Sequence, residues 1–352
     1  MKLTSPPDVS ERTLTQRELN RALLARQLLL ERRPTPIPRA VEQMGTVQTQ
    51  YAPSAYVALW TRLASFDRES LTRALERRAV VQGTMMRNTI HVASPRDYWP
   101  LVRAIRPERM AWSRRIQKTE PRELERAARR LRAYLSGRPR SQAEIVEKLG
   151  EEVWRPGIAI WLDLVRVPPS GTWERRRADL FGLAEEWVGP EPELDHEPAV
   201  RHLVRSYLGA FGPAPRIAIA DWAGMRVGTL KHALDRMRMR RFRDEQGREL
   251  LDLPRAPLPD AETPAPPRFL PVWDATLLVH ARRTGILPEE YRPRIFNTRT
   301  PHSFNTFLVN GEVAGAWRYA SGRVALEPFR RIPRSARKEL DEEAERLAAF
   351  HA

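Results

Sequence analysis

The sequence predicts an α+β fold that is mostly helical, and three observations support this prediction. One element order recurs three times along the chain: a helix, a break that contains proline, two helices and a hairpin. This is the order of a winged helix-turn-helix, whose third helix and wing can meet a duplex. Near the C-terminal end, Asn310-Gly311 stands between two alternating runs, which is a strong hairpin signal. The hydrophobic content of 41% is enough for ordinary cores. We therefore expect three tandem winged helix-turn-helix units followed by a small β-rich region.

The first unit is predicted over residues 13–120. Thr15, followed by Glu18 three residues later, forms a capping box that predicts a helix from about Thr15 to Glu31. The prolines of PTPIP end this helix. VVQGTMMRNTIHVAS alternates well enough to predict a hairpin or wing strand at residues 80–94. Two shorter helices are expected between them, at about residues 39–45 and 53–64.

The element order restarts twice. The second unit is predicted over residues 121–195, where Ser141 caps a helix and a Pro-Pro-Ser-Gly turn follows. The third unit covers residues 196–253, with a long helix that ends at Gly-Pro and a polar hairpin that turns at Asp-Glu-Gln-Gly. A proline-rich linker at residues 254–267 leads to the C-terminal β-rich region and terminal helix, residues 268–352.

The charge of the chain favours a polyanionic partner. Lys and Arg number 60 against 44 Asp and Glu, so the formal net charge is +16 over 352 residues. Such an excess is typical of proteins that bind nucleic acid. No apolar run approaches the roughly 20 residues of a membrane span, and the N-terminus lacks the apolar segment of a signal peptide. We expect a cytoplasmic protein that does not enter a membrane.

Several chemical classes are excluded by the residues that the chain lacks. Without cysteine there are no disulfides, thiolate zinc sites or cysteine nucleophiles. The seven His are scattered, and HExxH, GxxxxGK[ST], GxGxxG and GxSxG motifs are absent. We expect no metal and no cofactor, and a metal- or phosphate-dependent hydrolase is a weak interpretation.

A pair of amides is one candidate catalytic feature. Gln48 and Gln50 flank one residue, just ahead of Tyr51 and Pro53. On a strand they would share a face, whereas in a helix they would diverge by about 200°. Two amides on a turn can point together at one water or one sugar. The alternative is a pair of solvated side chains at a helix end.

Other polar residues are candidates for contacts with DNA. Arg87, Thr89 and His91 alternate along a predicted strand face, where His91 could contact a phosphate or base, or bond a local carbonyl. The turn after Arg166 could be a wing inserted into a groove or an ordinary basic hairpin. The full set of further candidates is Arg166, Ser170, Gly171, Thr172, Trp173, Arg175, Arg226 and Lys231. Asp274 and His280 could form a catalytic pair, a structural pair or a loop anchor.

Several segments together resemble the AlkZ/YcaQ-type winged-helix DNA glycosylases. They are LNRALLARQLLLERR, VQTQYAPSAYVALWTRL, MMRNTIHVASPRDYWPL, LVRVPPSGTWERRRADLFGLAEEWVG, YLGAFGPAPRIAIADWAGM, FLPVWDATLLVHARR and VNGEVAGAWRY. The resemblance covers roughly residues 14–330. It implies three winged units in a C-shaped scaffold that embraces double-stranded DNA, and a monomer. The family's Gln-x-Gln motif maps onto Gln48 and Gln50, with Thr49 where an aliphatic residue is usual.

The resemblance also implies a reaction, the excision of alkylated bases such as cationic N7-alkylguanine and the unhooking of N7-linked interstrand crosslinks. A cationic purine leaves as a neutral base, so no strong general acid is needed. Two amides can hold a water and direct their dipoles at the developing positive sugar. Without a catalytic lysine, the expected reaction is monofunctional and leaves an abasic site. The alternative is a winged-helix DNA-binding regulator without catalysis. General repair and self-resistance to a genotoxin both stay open as the biological role.

Overall fold

The computed structural model describes residues 12–116, 120–154, 158–278, 280, 285–297 and 302–352. The mixed α+β class, with more helix than strand, is confirmed. Within the described residues the strands form four sheets. None of the helices described combines the length and apolarity that a membrane crossing needs.

The N-terminal part begins as its capping signals predict. The elements are β1 (Thr13–Leu14), α1 (Gln16–Arg26), α2 (Ile37–Gln43), β2 (Val47–Gln48), α3 (Ala52–Trp60), α4 (Arg68–Glu76), β3 (Val81–Thr84), β4 (Ile90–Ala93) and α5 (Pro95–Ile116). The Thr15 hydroxyl accepts from the Glu18 amide, and the Glu18 carboxylate accepts from the Thr15 amide, so the capping box is confirmed.

Helix α1 ends before the predicted Glu31. Leu28 takes a left-handed conformation with φ 56°, and the Leu29 amide bonds back to the Leu24 carbonyl at 2.8 Å. This is the geometry of a Schellman motif, with leucine where glycine is usual. Leu28 and Leu29 are both buried. The burial of these two side chains offsets the strain of the left-handed conformation at Leu28. The sequence has no glycine or asparagine there that would predict this helix end.

One continuous sheet runs from the predicted first unit into the second. The next elements are α6 (Pro121–Leu135), β5 (Arg140–Ser141), α7 (Gln142–Leu149), α8 (Ile158–Trp161), β6 (Leu164–Arg166), β7 (Leu180–Leu183) and α9 (Ala184–Trp187). Ser141 caps α7 with Glu144 in a second capping box, as predicted for Ser141. The six strands lie in the order β2-β4-β3-β6-β7-β5, and β3 pairs with β6 through Gln82 and Arg166.

The next segment packs against the first. It contains α10 (His196–Phe211), α11 (Arg216–Ala223), α12 (Lys231–Asp235), β8 (Arg240–Asp244) and β9 (Glu249–Asp252). The predicted helix that ends at Gly212 and the predicted β8–β9 hairpin are both confirmed. Strand β1 pairs in parallel with β8, and α10 shares a hydrophobic core with α5. Residues far apart in the chain therefore form one interior.

The C-terminal part is rich in strands, as predicted. It contains β10 (Arg268–Leu270), α13 (Arg292–Ile295), β11 (Phe296–Asn297), β12 (His302–Ser303), β13 (Thr306–Val309), β14 (Glu312–Ala320), β15 (Arg323–Pro328) and α14 (Arg334–His351). Asn310 and Gly311 have φ of 52° and 82° and join β13 to β14, so the predicted hairpin is confirmed. Helix α14 packs on α3 through Trp60 and Phe350.

Two buried ion pairs connect the N-terminal helices to later segments. Arg26 donates to both carboxylate oxygens of Asp252, at 2.7 and 3.0 Å, and neither side chain is exposed. Arg62 Nη2 lies 3.0 Å from Asp274 Oδ2, and both of these side chains are buried. Charges removed from water need such matched partners, because an unpaired one is costly.

Replacing Asp252 with alanine leaves the Arg26 guanidinium buried without its counter-ion. We expect Asp252→Ala to lower the free energy of unfolding by about 3–5 kcal/mol. The matched control is Asp341→Ala, which removes an exposed partner of Arg337 and should cost no more than about 1 kcal/mol. Urea denaturation measures both values. Equal losses in the two variants would show that burial of the Arg26–Asp252 pair has no energetic consequence.

Candidate functional site

Gln48 ends the short strand β2 and Gln50 follows it by two residues, so the segment is not helical and one of the two geometries left open by the sequence is excluded. Gln48 is opposite His91 in the β2–β4 pair, and the Thr49 amide donates to the Ile90 carbonyl at 2.8 Å. Gln50 accepts from the Ile90 amide through its Oε1 at 3.1 Å. Thr49 is buried, Gln48 is half-buried and Gln50 is exposed. The backbone is therefore extended through Thr49, with the glutamines on its open side.

Arg87 holds the amide of Gln48. Its Nη2 donates to Gln48 Oε1 at 2.9 Å, and its Nη1 donates to the backbone carbonyl of Trp222. Only the oxygen of an amide accepts, so this bond fixes which end of the Gln48 amide faces Arg87. Burial lowers the pKa of Arg87 to about 10, while Asp221 opposes that shift. Arg87 is thus still a cation at neutral pH.

The turn that carries Arg87 is anchored from two directions. Arg87 and Asn88 both have positive φ, at 54° and 58°, between β3 and β4. The side-chain oxygen Oδ1 of Asn88 accepts a hydrogen bond from Arg109 Nε at 3.2 Å, and Arg109 is a buried residue of α5. On the other side, α11 ends at Gly224 in a left-handed conformation. The carbonyls of a last helical turn lack partners within the helix, so a cation is well placed there.

Of the three predicted DNA contacts on this strand and its turn, His91 is buried, while Arg87 and Thr89 are half-buried. His91 is 2% exposed, and its two ring nitrogens lie 2.9 Å from the hydroxyls of Thr46 and Thr89. Burial, followed by the charge of Arg87, lowers the pKa of His91 to about 3, so the ring is neutral. The expectation that His91 lies at the surface is wrong, because its ring is buried, whereas a contact of Thr89 with DNA stays a prediction. Arg87 is turned towards Gln48.

The turn at residues 167–173, for which a wing inserted into a groove was one of two interpretations, is largely buried. Ser170, Thr172 and Trp173 are buried, and the Gly171 carbonyl accepts from Gln82 Nε2 at 2.8 Å. Ser170 Oγ accepts from the backbone amides at 179 and 180. The Trp173 ring packs between Tyr56 and Phe350 at 5.7 and 5.5 Å. A turn signal in sequence does not show whether the turn points outward, and this one folds against the core.

The remaining basic candidates fall into two groups. Arg166 is desolvated over the Phe181 ring and donates to Thr84, and its burial lowers its pKa to about 10. It is therefore not a free surface charge, contrary to the prediction. Three others keep exposed charge: Arg175, which pairs with Asp179; Arg226, which pairs with Glu108; and Lys231 at the start of α12.

Asp274 has a structural role. Its carboxylate accepts from Arg62 and from the amide and hydroxyl of Thr276, so it anchors the loop at residues 275–277. This is the loop-anchor alternative. Within the described ranges, no group of three or more His, Cys, Asp or Glu side chains could hold a metal ion.

The structure has a cavity beside the glutamines that the sequence did not predict. It has a volume of about 260 Å³ and opens next to Tyr51, the residue that follows Gln50. Its walls come from the start of α3, the segment at 173–176, β14 and the end of α14. The only sequence signal was a set of aromatic residues, spread over about 300 positions and individually typical of a core.

Comparison with known proteins defines the class. The model of the AlkZ-like DNA glycosylase family matches residues 41–350, a range that includes both glutamines and the Arg87 turn. The chain therefore belongs to the AlkZ-like DNA glycosylase family. Among solved structures it is similar to the Streptomyces sahachiroi DNA glycosylase AlkZ, with a TM-score of 0.80 and 18% identity over 96% of this chain and 97% of that chain. At that identity the likeness establishes a shared fold. The search of curated proteins gave no match.

The buried neutral state of His91 generates a prediction about pH. An unfolded histidine titrates near 6.5, whereas burial keeps the pKa of His91 near 3 in the folded protein. The unfolded chain therefore binds more protons between these values. The stability that His91 contributes is fully present above about pH 6.5 and declines as the pH falls, by up to about 1.4 kcal/mol per unit.

We expect His91→Gln to remove this part of the pH dependence. Urea denaturation of both proteins at pH 6 and pH 5 measures it, with the wild type losing up to about 1.4 kcal/mol more than the variant. Parallel losses in the two proteins would mean that His91 accepts a proton in the folded state.

Proposed function

We propose that this protein is a monofunctional DNA glycosylase that removes cationic alkylpurines of the N7-alkylguanine class from duplex DNA and leaves an abasic site. N7-linked interstrand crosslinks belong to the same substrate class. The observation that carries the proposal is the pair Gln48, at the end of β2, and Gln50, two residues later, with the Gln48 amide bonded to Arg87 and the Gln50 amide bonded to the Ile90 backbone. Membership of the AlkZ-like family supports it.

The two amides have the capacity to hold one water. Each amide oxygen has two lone pairs, and Arg87 or Ile90 occupies one of them. The second lone pair and the amide N–H groups are left for a water, which can both donate and accept between the side chains. A water fixed in this way is positioned to attack C1′.

The bond changes are simple. The water oxygen forms a bond to C1′, the C1′–N9 bond breaks, and its electron pair neutralises the cationic purine. The proton of the attacking water passes to solvent or to a DNA phosphate. The amide dipoles stabilise the oxocarbenium-like sugar during this step. Neither glutamine can form a Schiff base, so strand cleavage by β-elimination is not part of the reaction.

The proposal includes the arrangement of the scaffold. We assign winged helix-turn-helix units to residues 13–120, 121–195 and 196–253, and a C-terminal region to 268–352, in a C-shaped monomer around DNA. The exposed cations Arg175, Arg226 and Lys231 are its candidate phosphate contacts, joined by Arg176. Because they lie at the surface, they can reach a duplex backbone without a change of fold.

Excision from a defined duplex tests the function. The full chain is incubated with a duplex that carries one N7-methylguanine, and abasic sites are then cleaved with mild alkali. Strand breaks above the spontaneous background are expected, and a duplex with one N7-linked crosslink is the second substrate. Tight binding without breaks on either substrate would leave a DNA-binding regulator as the function.

Removing either amide should slow the reaction. We expect Gln48→Ala and Gln50→Ala each to lower the single-turnover excision rate by about 10²-fold or more, the usual effect of losing one group that stabilises a transition state. The matched control is Gln246→Ala, at the exposed turn of the β8–β9 hairpin, which should retain the wild-type rate. Full excision by both active-site variants would refute the assignment of these residues.

Arg87 is a positioning residue in this proposal. Arg87→Met removes the charged donor while keeping an unbranched side chain, so the Gln48 amide is free to rotate. We expect the single-turnover rate to fall by about tenfold or more, with the Kd for lesion duplex changed less than threefold, since a lost hydrogen bond to a charge is worth about 1.5–3 kcal/mol.

The double variant Arg87→Met/Gln48→Ala separates positioning from a general structural effect. If Arg87 acts through Gln48, the double variant is no slower than Gln48→Ala alone. Multiplicative rate losses, or weaker DNA binding at an unchanged rate, would assign Arg87 a different role.

A further inference from the structure

The cavity beside Tyr51 has the walls of a site for a planar ring. His351 stacks on Tyr319 at 4.5 Å with an angle of 20° between the rings. Trp173 and Trp317 meet the same imidazole edge-on, at 5.1 and 5.8 Å. Tyr51 is 46% exposed at the opening. Aromatic faces of this kind bind unstacked nucleobases without demanding one sequence.

Two residues of the cavity lining, Ser54 and His351, each carry a buried polar atom without a hydrogen-bond partner among the described residues. Ser54 is 3% exposed, and its hydroxyl has no hydrogen-bond partner within the described part of the chain. The same is true of His351 Nε2. Buried polar atoms are almost always bonded, so such atoms in a cavity wall indicate a ligand or ordered water. Burial, and then the charges of Arg68 and Arg176, lower the pKa of His351 to about 4, so its ring is neutral.

The charges at the opening select among bases. Arg176 donates to the Tyr51 hydroxyl at 3.0 Å and lies 5.9 Å from the Trp173 ring, and Arg318 is a second cation in the lining. None of the described residues that line the cavity carries a carboxylate. This field repels a cationic alkylpurine and attracts the phosphates on either side of a neutral base.

The volume limits what can enter. The cavity volume is about 260 Å³. Pockets for drug-sized ligands are slightly larger, at roughly 300–1,000 Å³. A single base fits that scale, while its sugar and phosphates remain at the opening near Arg176 and Arg318.

We propose that this cavity receives one uncharged nucleobase, unstacked from the same duplex that carries the lesion, while the cationic lesion itself stays outside beside Gln48 and Gln50. The inference rests on the proposed function and deepens it. It assigns the unmodified base to a pocket of its own. There the base would stack on the aromatic rings next to Tyr319 and His351 and would form hydrogen bonds with Ser54 Oγ and His351 Nε2.

The test uses the full chain and a duplex whose N7-methylguanosine is 2′-fluorinated and therefore resists hydrolysis. Fluorescent analogues replace one base at a time: pyrrolocytosine opposite the lesion, or 2-aminopurine on its 3′ side. We expect binding to change the fluorescence of one analogue at least twofold, which also identifies the base that enters.

Substitutions in the cavity lining test whether the fluorescence change comes from a base bound in this cavity. Ser54→Leu fills the cavity, so it should abolish the fluorescence change and weaken binding of the lesion duplex at least fivefold. Ser335→Leu is the matched control at an exposed position near the start of α14, and it should leave both unchanged. His351→Leu removes Nε2 while keeping an apolar side chain at this position, and it should weaken binding by about two- to tenfold.

The outcomes separate this inference from the proposed function, because neither readout requires hydrolysis. Excision without a fluorescence change for either analogue overturns the pocket and leaves the glycosylase proposal standing. A fluorescence change that survives both Ser54→Leu and His351→Leu also overturns the pocket. A change that Ser54→Leu abolishes supports it, even in a protein that excises nothing.

Discussion

The guanidinium of Arg87 is the interaction on which the organisation of the site depends. One nitrogen binds the Gln48 amide on β2 and another binds the carbonyl of Trp222 at the end of α11. The first partner belongs to the sheet that carries the glutamines, and the second belongs to a helix more than 130 residues later. A planar fork can satisfy two acceptors at fixed angles, which a lysine cannot. The geometry of the proposed site is therefore coupled to the packing of α11.

The strongly basic composition has two different meanings in this structure. Part of it is internal: Arg21, Arg26, Arg62, Arg109 and Arg268 are all buried and bond to carbonyls or carboxylates. These side chains connect loops and helices in the way that buried polar networks do. The net charge of +16 thus overstates the number of cations available to a polyanion. The exposed remainder is what a duplex would meet.

Local signals were read correctly from the sequence, and signals that depend on tertiary packing were not. The capping boxes at Thr15 and Ser141 and the Asn310-Gly311 hairpin involve neighbours within a few residues, so their chemistry is visible in a short window. His91 and Trp173 looked like surface residues because nothing nearby shows that distant segments cover them. The spacing of the glutamines made them candidates, but only the family resemblance favoured a catalytic role over solvated side chains. The contacts of Arg87 were not predicted, because its partners are 39 and 135 residues away.

The continuous six-stranded sheet has a consequence for how this chain can be divided. Since β3 pairs with β6, a fragment that stopped near residue 120 would expose the edge of β3 and the apolar face behind it. An open strand edge of that kind invites pairing between molecules. The parallel pair β1–β8 has the same consequence for a fragment that lacks the first residues, because β8 would then lose its partner β1. Cutting the chain near residue 120 or ahead of β8 would therefore separate strands that are paired within one sheet.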